Sequence, residues 1–272
     1  MTRVLVNGLP SEHVRVSDRG LAYGDGVFRT LLVRAGRPLC WHHHYGKLDA
    51  DCAALGIACP PEHRLIEEMG SLIAAEPDCV LKIIVTRGEG ARGYAASDGV
   101  EPTRILMTSP IPQYPASCYS DGVRMHLCAT RLAIQPRLAG IKHLNRLENV
   151  LARREWNDPA IAEGLLLDME GNAIEGTMSN VFMLQGETLH TPDLGRCGVA
   201  GVQRARIMES AGALGLAVKT ENLPLVRIHD AEEIVLCNSV IGVWQVRALA
   251  EKTWPAGNLA ARLRMLLNDD CR

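Results

Sequence analysis

Gly140-Ile-Lys-His-Leu-Asn-Arg-Leu-Glu-Asn149 sets one lysine, Lys142, just before a segment with helical spacing. Its upstream neighbours are small or apolar: Leu138, Ala139, Gly140 and Ile141. An amine in such surroundings gives up its charge more readily than one in water, which is what a carbonyl-trapping lysine requires. The plain alternative is a solvated side chain at a helix entrance. Downstream, Leu147, Val150 and Leu151 recur at helical intervals and are expected on the inner face of that helix.

Further along the chain stand groups that complement an amine. Asp168-Met-Glu-Gly-Asn-Ala-Ile-Glu175 reads as a strand and turn leading to a carboxylate, Glu175, either exposed on a hairpin or turned inward. Gly198-Val-Ala-Gly201-Val202-Gln203 opens a helix. Glycine lets the backbone approach a ligand closely, and the first N–H groups of a helix bind phosphate. The same glycines also serve as simple punctuation. Asn238-Ser239 follows an apolar run and reads as extra donors for the same anion or as an ordinary turn. An amine, an acid and a phosphate cradle are the three fixtures that pyridoxal phosphate chemistry needs.

A glycine-rich loop, Arg87-Gly-Glu-Gly-Ala-Arg92-Gly-Tyr94, follows a buried strand, a usual place for a ligand. Arginine matches a carboxylate with a planar fork. A mobile surface loop would carry the same residues. The chain has no G-x-S-x-G and no phosphate-binding loop of the Walker type, and Ser179 has no recognisable His and Asp partners in sequence.

Composition narrows the field. The 272 residues are 47% hydrophobic, enough for a large core, and the formal charge is −2 with scattered basic residues. That argues against a nucleic-acid surface. No apolar run reaches spanning length, and the N-terminal stretch through Asn7 lacks the apolar centre of a secretion signal, so a cytoplasmic location is expected. Nine cysteines without a C-x-x-C pair suit reduced thiols better than a disulfide framework. His42-His43-His44 lie on successive helical positions about 100° apart, so they do not converge on one ion, and no metal is expected.

The expected elements alternate. Strands are read at 4–6, 27–33, 80–86 and 105–108, with helices at 45–55 and 61–75. Pro110-Ile-Pro-Gln-Tyr-Pro115 continues neither a helix nor a central strand. We therefore expect a small domain over 1–109, a linker over 110–120 and a larger domain over 121–272. In the second part strands are read at 123–129, 164–168, 181–184, 188–190 and 233–237, with helices after Lys142, at 202–214 and at 259–267.

These segments together resemble the class IV pyridoxal phosphate enzymes, the group of branched-chain and D-amino-acid aminotransferases, and within it the aminodeoxychorismate lyase branch. The likeness runs over essentially the whole chain. It rests on Ser17-Asp-Arg-Gly-Leu-Ala-Tyr-Gly-Asp-Gly-Val-Phe28, on Arg87–Tyr94, on Leu138–Glu148, and on Glu175, Ser179-Asn180 and Gly198–Gln203. The resemblance implies a two-domain α+β fold with pyridoxal 5′-phosphate between the domains, in a homodimer acting on a small molecule. It implies Lys142 as Schiff-base lysine and Glu175 as partner of the ring nitrogen. Val202 and Gln203 would donate backbone N–H groups to phosphate, with Asn238 and Ser239 beside it. Thr30 would stand near the substrate. Arg92 and Tyr94 are the candidates for its carboxylates. The family pattern His-x-x-Arg-Leu reads His44-Tyr-Gly-Lys47-Leu48 here, so Lys47 is expected in the arginine's place as a point charge rather than a fork. The implied activity is conversion of 4-amino-4-deoxychorismate to 4-aminobenzoate and pyruvate, for folate synthesis. The alternatives are an aminotransferase of D-amino or branched-chain acids and a cofactor-binding protein without turnover.

Overall fold

The computed structural model describes residues 3–96 and 99–269. The chain forms two compact units. One holds the residues up to Pro112 together with Ile141–Asn145; the other holds Gln113–Gly140 and the residues from Arg146 onward. The short segment that carries Lys142 thus packs with the first unit.

The first unit begins with β1 (Val4–Val6), β2 (Leu9–Pro10) and a short helix α1 (Arg19–Tyr23). Then come β3 (Gly26–Arg34), β4 (Arg37–Pro38), α2 (Trp41–Leu55), α3 (Glu62–Ala75), β5 (Cys79–Thr86) and β6 (Arg104–Ser109). The six strands form one antiparallel sheet in the order β2-β1-β6-β5-β3-β4. Alternation assigns the two faces of β3. Val27, Leu31 and Val33 join Leu81, Ile83 and Val85 of β5 in a core with Leu48 and Cys52 of α2 and Leu65, Met69 and Leu72 of α3. Phe28, Thr30 and Leu32 turn to the other face. Helix α2 starts at Trp41, earlier than its apolar spacing indicates, and Gly56 ends it at φ 64° by donating back to Cys52 and Ala53.

The second unit contains α4 (Ser117–Ser120), β7 (Val123–Leu132), α5 (Leu147–Arg153), β8 (Ile161–Asp168), β9 (Asn172–Gly176), β10 (Asn180–Gln185) and β11 (Thr188–Pro192). It continues with α6 (Val202–Ser210), β12 (Ala217–Glu221), β13 (Leu223–Pro224), α7 (Leu225–His229), β14 (Glu233–Asn238), β15 (Gly242–Leu249), β16 (Lys252–Thr253) and α8 (Leu259–Asp269). The sheet runs β12-β11-β10-β14-β15-β7-β8-β9-β13, with β16 paired to β15. Both faces are buried. On β14, Ile234 and Leu236 enter one core with Trp244 and Val246, while Val235 and Cys237 enter another with Phe182, Ile207 and Leu263. Burial on both sides explains the unbroken apolar runs.

The expected elements are present, with shifted ends and with β12, β15 and several short helices added. The expected helix over 202–214 is α6 followed by a 3-10 turn over 211–214. One expectation is overturned. Leu147, Val150 and Leu151 of α5 are 74%, 53% and 53% exposed, and the buried residue of that helix is Ala152. Helical spacing identifies an apolar stripe but not which surface covers it. No helix among the described residues is long and apolar enough to cross a membrane.

Candidate active site

In the first unit, Lys142 is clamped by its backbone. Its carbonyl accepts from Phe28 N–H at 2.9 Å, and Leu144 N–H donates to Gly26 carbonyl at 3.0 Å. Its own N–H donates to Asp51 Oδ2 at 3.1 Å. The ammonium nitrogen lies 4.6 Å from the centroid of the Phe28 ring. The lysine's approach is therefore set by β3 on one side and by α2 on the other.

Asp51, one residue from Cys52 on α2, is buried and also binds the side chains of Arg29 and Lys47. Arg29 occupies the core-facing side of β3, where a charge persists only with a partner. Its burial lowers the guanidinium pKa to about 10. Burial and then repulsion from Arg29 bring the Lys47 ammonium down to about 7. One carboxylate thus holds two basic side chains, a setting in which an added anion favours the charged form of Lys47.

The Arg87–Tyr94 loop is built on a rigid base. Arg87 forks onto Asp25, donating from Nε at 2.8 Å and from Nη2 at 3.1 Å, and also binds the carbonyls of Leu55 and Gly56. Buried Arg19 holds the carbonyls of Gly93 and Tyr94, each at 3.0 Å. Arg87 is thereby engaged in scaffolding. Arg92 is exposed, and Tyr94 is 88% exposed with its ring 5.5 Å from that of Tyr23.

In the second unit, Asp168 Oδ1 accepts from the N–H groups of Glu170 and Asn172 and closes the β8–β9 turn. This sends β9 back with Glu175 opposite Leu166. The hairpin is as read from sequence, but its acid is turned inward: Glu175 is 3% exposed and its Oε2 accepts Val199 N–H at 2.8 Å. Arg146 shares this environment; burial lowers its pKa while the Glu175 and Glu148 carboxylates pull the other way.

Asn180 makes the loop before α6. Its amide donates to Val199 carbonyl at 2.8 Å and accepts Gly201 N–H at 3.1 Å. A Cβ on Gly201 would lie 2.3 Å from Asn180 Oδ1, so only glycine fits. Gly198, at φ 83°, would meet Ile174 and Leu194. Val202 and Gln203, both buried, are the first residues of the nine-residue α6. Gly140 pairs with the same loop, donating to Gly198 carbonyl at 2.9 Å. Buried Glu163 organises 176–179, accepting from Ser179 Oγ at 2.8 Å and from the N–H groups of Thr177 and Met178. Its burial raises its pKa despite these donors.

Asn238 has its side chain occupied in a turn. It donates to Met178 carbonyl and accepts from Val240 and Ile241 N–H groups. Ser239 lies at the tip of that turn.

The first unit thus gathers Lys142, Arg29 and Lys47 around Asp51, and the second sets Glu175 against the loop that starts α6. Sequence reading missed Asp51, Arg29, Phe28, Arg146, Asn180 and Glu163. Asp51 follows Lys47 by four residues on a helix, the spacing of an ion pair, and Arg29 interrupts an apolar alternation. Those signals were available; the others depend on contacts across the sheet.

Residues 26–249 match the model of the amino-transferase class IV family. An aminodeoxychorismate lyase of Vibrio harveyi is 35% identical over 97% of this chain and 98% of its own. A solved 4-amino-4-deoxychorismate lyase from Pseudomonas aeruginosa is 48% identical with a TM-score of 0.93, covering 98% of each chain. A putative branched-chain-amino-acid aminotransferase of Methanocaldococcus jannaschii is 26% identical over 94% of this chain and 90% of its own. The family model covers most of the chain and the 35% identical relative is matched nearly end to end, so the chain belongs to the class IV aminotransferase family.

Proposed function

We propose that this protein is an aminodeoxychorismate lyase, converting 4-amino-4-deoxychorismate to 4-aminobenzoate and pyruvate with pyridoxal 5′-phosphate. The observation that carries this reading is end-to-end likeness to lyases, 48% identical in one solved case, against 26% for an aminotransferase. The donor set fits the cofactor. The glycines at 198 and 201 leave the backbone bare before α6, and Glu175 is a buried acid for a ring nitrogen.

When bound, the cofactor would supply an electron sink for charge on the substrate carbon. Lys142 would hold the aldehyde carbon of the cofactor and, once displaced by the substrate amine, its freed amine would accept the proton from the amine-bearing carbon. Glu175, whose Oε2 accepts Val199 N–H, would hold the proton on the ring nitrogen. The backbone N–H groups of Val202 and Gln203 would bind the phosphate, Lys47 would add a charge to it, and Ser239 stands on the turn that Asn238 shapes. The C–O bond to the enolpyruvyl group breaks as the ring becomes aromatic, and the released enol takes a proton to become pyruvate. Thr30 positions this leaving group, and Arg92 and Tyr94 meet substrate carboxylates.

The exposed apolar stripe of α5 supports a homodimer, since a large apolar surface marks an interface. Cys40 is disulfide-bonded, against the expectation of reduced thiols throughout, while Cys52, Cys79, Cys128 and Cys237 are free; the free thiols support a cytoplasmic location. We keep 110–120 as the connection between a small domain, 1–109, and a large one, 121–272. The test is direct: purified protein given aminodeoxychorismate, without any keto acid, forms 4-aminobenzoate and pyruvate in equal amounts. Turnover that requires an added keto acid would instead make it an aminotransferase.

A further inference from the structure

We propose that Cys52 and Cys59 form a modification site, a dithiol that a hydroperoxide closes to a disulfide, and that closure loosens the cofactor site through the neighbouring Asp51. This inference does not depend on which reaction the protein catalyses. Cys52 lies on α2 next to Asp51, and Cys59 lies in the connection from α2 to α3. Gly56 ends α2 at φ 64° and turns the chain back. Ile57 N–H then donates to Cys52 carbonyl at 2.9 Å. Just beyond Cys59, the Tyr45 hydroxyl donates to Pro60 carbonyl at 3.2 Å and ties the connection to the same helix. Cys59 accordingly packs, partly buried, against the core that contains Cys52, as do Trp41 and Tyr45.

The two thiols are hydrogen-bonded to each other. That bond, and burial after it, keep the proton on Cys52. Cys52 is fully buried and Cys59 only partly, so Cys59 is the sulfur that a small oxidant meets first. The Cys59 sulfur attacks the peroxide and the O–O bond breaks. The products are a sulfenic acid on Cys59 and an alcohol, or water where the peroxide is hydrogen peroxide. The Cys52 sulfur then attacks the sulfenic sulfur. The S–S bond forms, the S–O bond breaks, and the Cys52 proton leaves with the hydroxyl as water. One peroxide thus takes two electrons from the pair. Drawing two hydrogen-bonded sulfurs to a bond of about 2.0 Å must move the end of α2. That end carries contacts on which the candidate site depends. Asp51 accepts Lys142 N–H and binds the Lys47 side chain, and the carbonyls of Leu55 and Gly56 hold Arg87.

The test treats the cofactor-loaded protein with an equimolar amount of hydrogen peroxide. Remaining thiols are then alkylated with iodoacetamide, and the chain is cut with trypsin without reductant. Cys52 and Cys59 share the tryptic peptide Leu48–Arg64, which holds no other cysteine. Mass spectrometry should find this peptide unalkylated and lighter by two hydrogens. Cys118, also of intermediate burial, should still be alkylated. Cys59→Ser should give no closed peptide. Cys52→Ala, which leaves the outer sulfur in place, should instead accumulate a sulfenic acid on Cys59 that dimedone traps. Dilution of the loaded protein, followed by visible absorbance, gives the cofactor's dissociation constant. Closure should raise it about tenfold or more, the worth of one hydrogen bond to a charged group. Dithiothreitol should reverse the rise, and peroxide should not produce it in Cys59→Ser. A peptide alkylated at both cysteines, Cys59 driven to sulfinic acid without closure, or Cys118 oxidised as readily overturns the site. A closed peptide with cofactor affinity unchanged overturns the coupling through Asp51.

Discussion

Asp51 Oδ2 accepts the backbone N–H of Lys142 at 3.1 Å, and the same carboxylate binds the side chains of Arg29 and Lys47. One acid on α2 therefore neutralises a buried guanidinium and orients the reactive segment. Asp51→Ala should leave Arg29 buried without a counter-charge. Breaking such a pair from one side costs about 3–5 kcal/mol. A urea titration followed by circular dichroism should show the transition at clearly lower denaturant. A midpoint equal to that of wild type would mean that Arg29 finds another partner or water.

Lys47 gives cofactor binding a proton linkage. Burial and the Arg29 guanidinium bring its ammonium to about 7, below the ordinary lysine value of about 10.5. The folded chain then binds fewer protons than the unfolded chain between those two values. Its stability without cofactor should rise with pH across that window. A phosphate dianion favours the charged lysine, so binding should take up a proton and weaken as pH rises above about 7. Calorimetry at pH 8 in buffers of different ionisation enthalpy measures the uptake directly. Lys47→Ala should abolish it and weaken binding, and Lys47→Arg should bind well without uptake. Uptake that persists in Lys47→Ala would assign the proton elsewhere.

Much of this organisation was legible in the chain, and the exceptions have physical causes. Local signals set the end of the 45–55 helix and marked the Pro110–Pro115 stretch as a break. The apolar stretch 27–33 was read as a strand, but not that Arg29 shares its core face, because a core charge depends on a partner 22 positions away. Glu175 was read as an acid after a turn. Its burial is set by Val199 on the α6 loop, which no nearby residue encodes. Asn238 looked like a donor for an anion, yet its amide is consumed within its own turn.

The stripe on α5 is the clearest case of pattern without address. Leu147, Val150 and Leu151 have the spacing of a core face and stand exposed. If a second copy covers them, sedimentation of wild type should give about twice the chain mass of 29.6 kDa. Leu147→Asp with Leu151→Asp should shift the species toward the monomer, because two carboxylates would be desolvated at each contact. A dimer of unchanged affinity would place the interface on another surface.

Glu175→Gln keeps the shape of the acid and removes its charge. The amide oxygen can still accept Val199 N–H, so the loop before α6 should stay in place. Cofactor binding should persist while lyase turnover falls about a hundredfold or more, the scale of losing one preorganised electrostatic contact. Visible absorbance reports the first and 4-aminobenzoate formation the second. Near-normal turnover would mean that another acid faces the ring.

Thr30 separates elimination from the chemistry shared with aminotransferases. It stands on the Phe28 face of β3, opposite Lys82. Strand packing alone accounts for a β-branched residue there. A hydroxyl that orients the enolpyruvyl oxygen, or relays a proton to it, would be a different matter. Thr30→Val retains the branch and deletes the oxygen. If the hydroxyl serves the leaving group, lyase turnover should drop about a hundredfold or more, within the range for proton-transfer groups. Cofactor absorbance should not change, and slow amino transfer from a simple amino acid should be spared, since that path expels no enolpyruvate. Equal lyase rates in the two proteins would assign Thr30 to packing and place the proton donor on another residue.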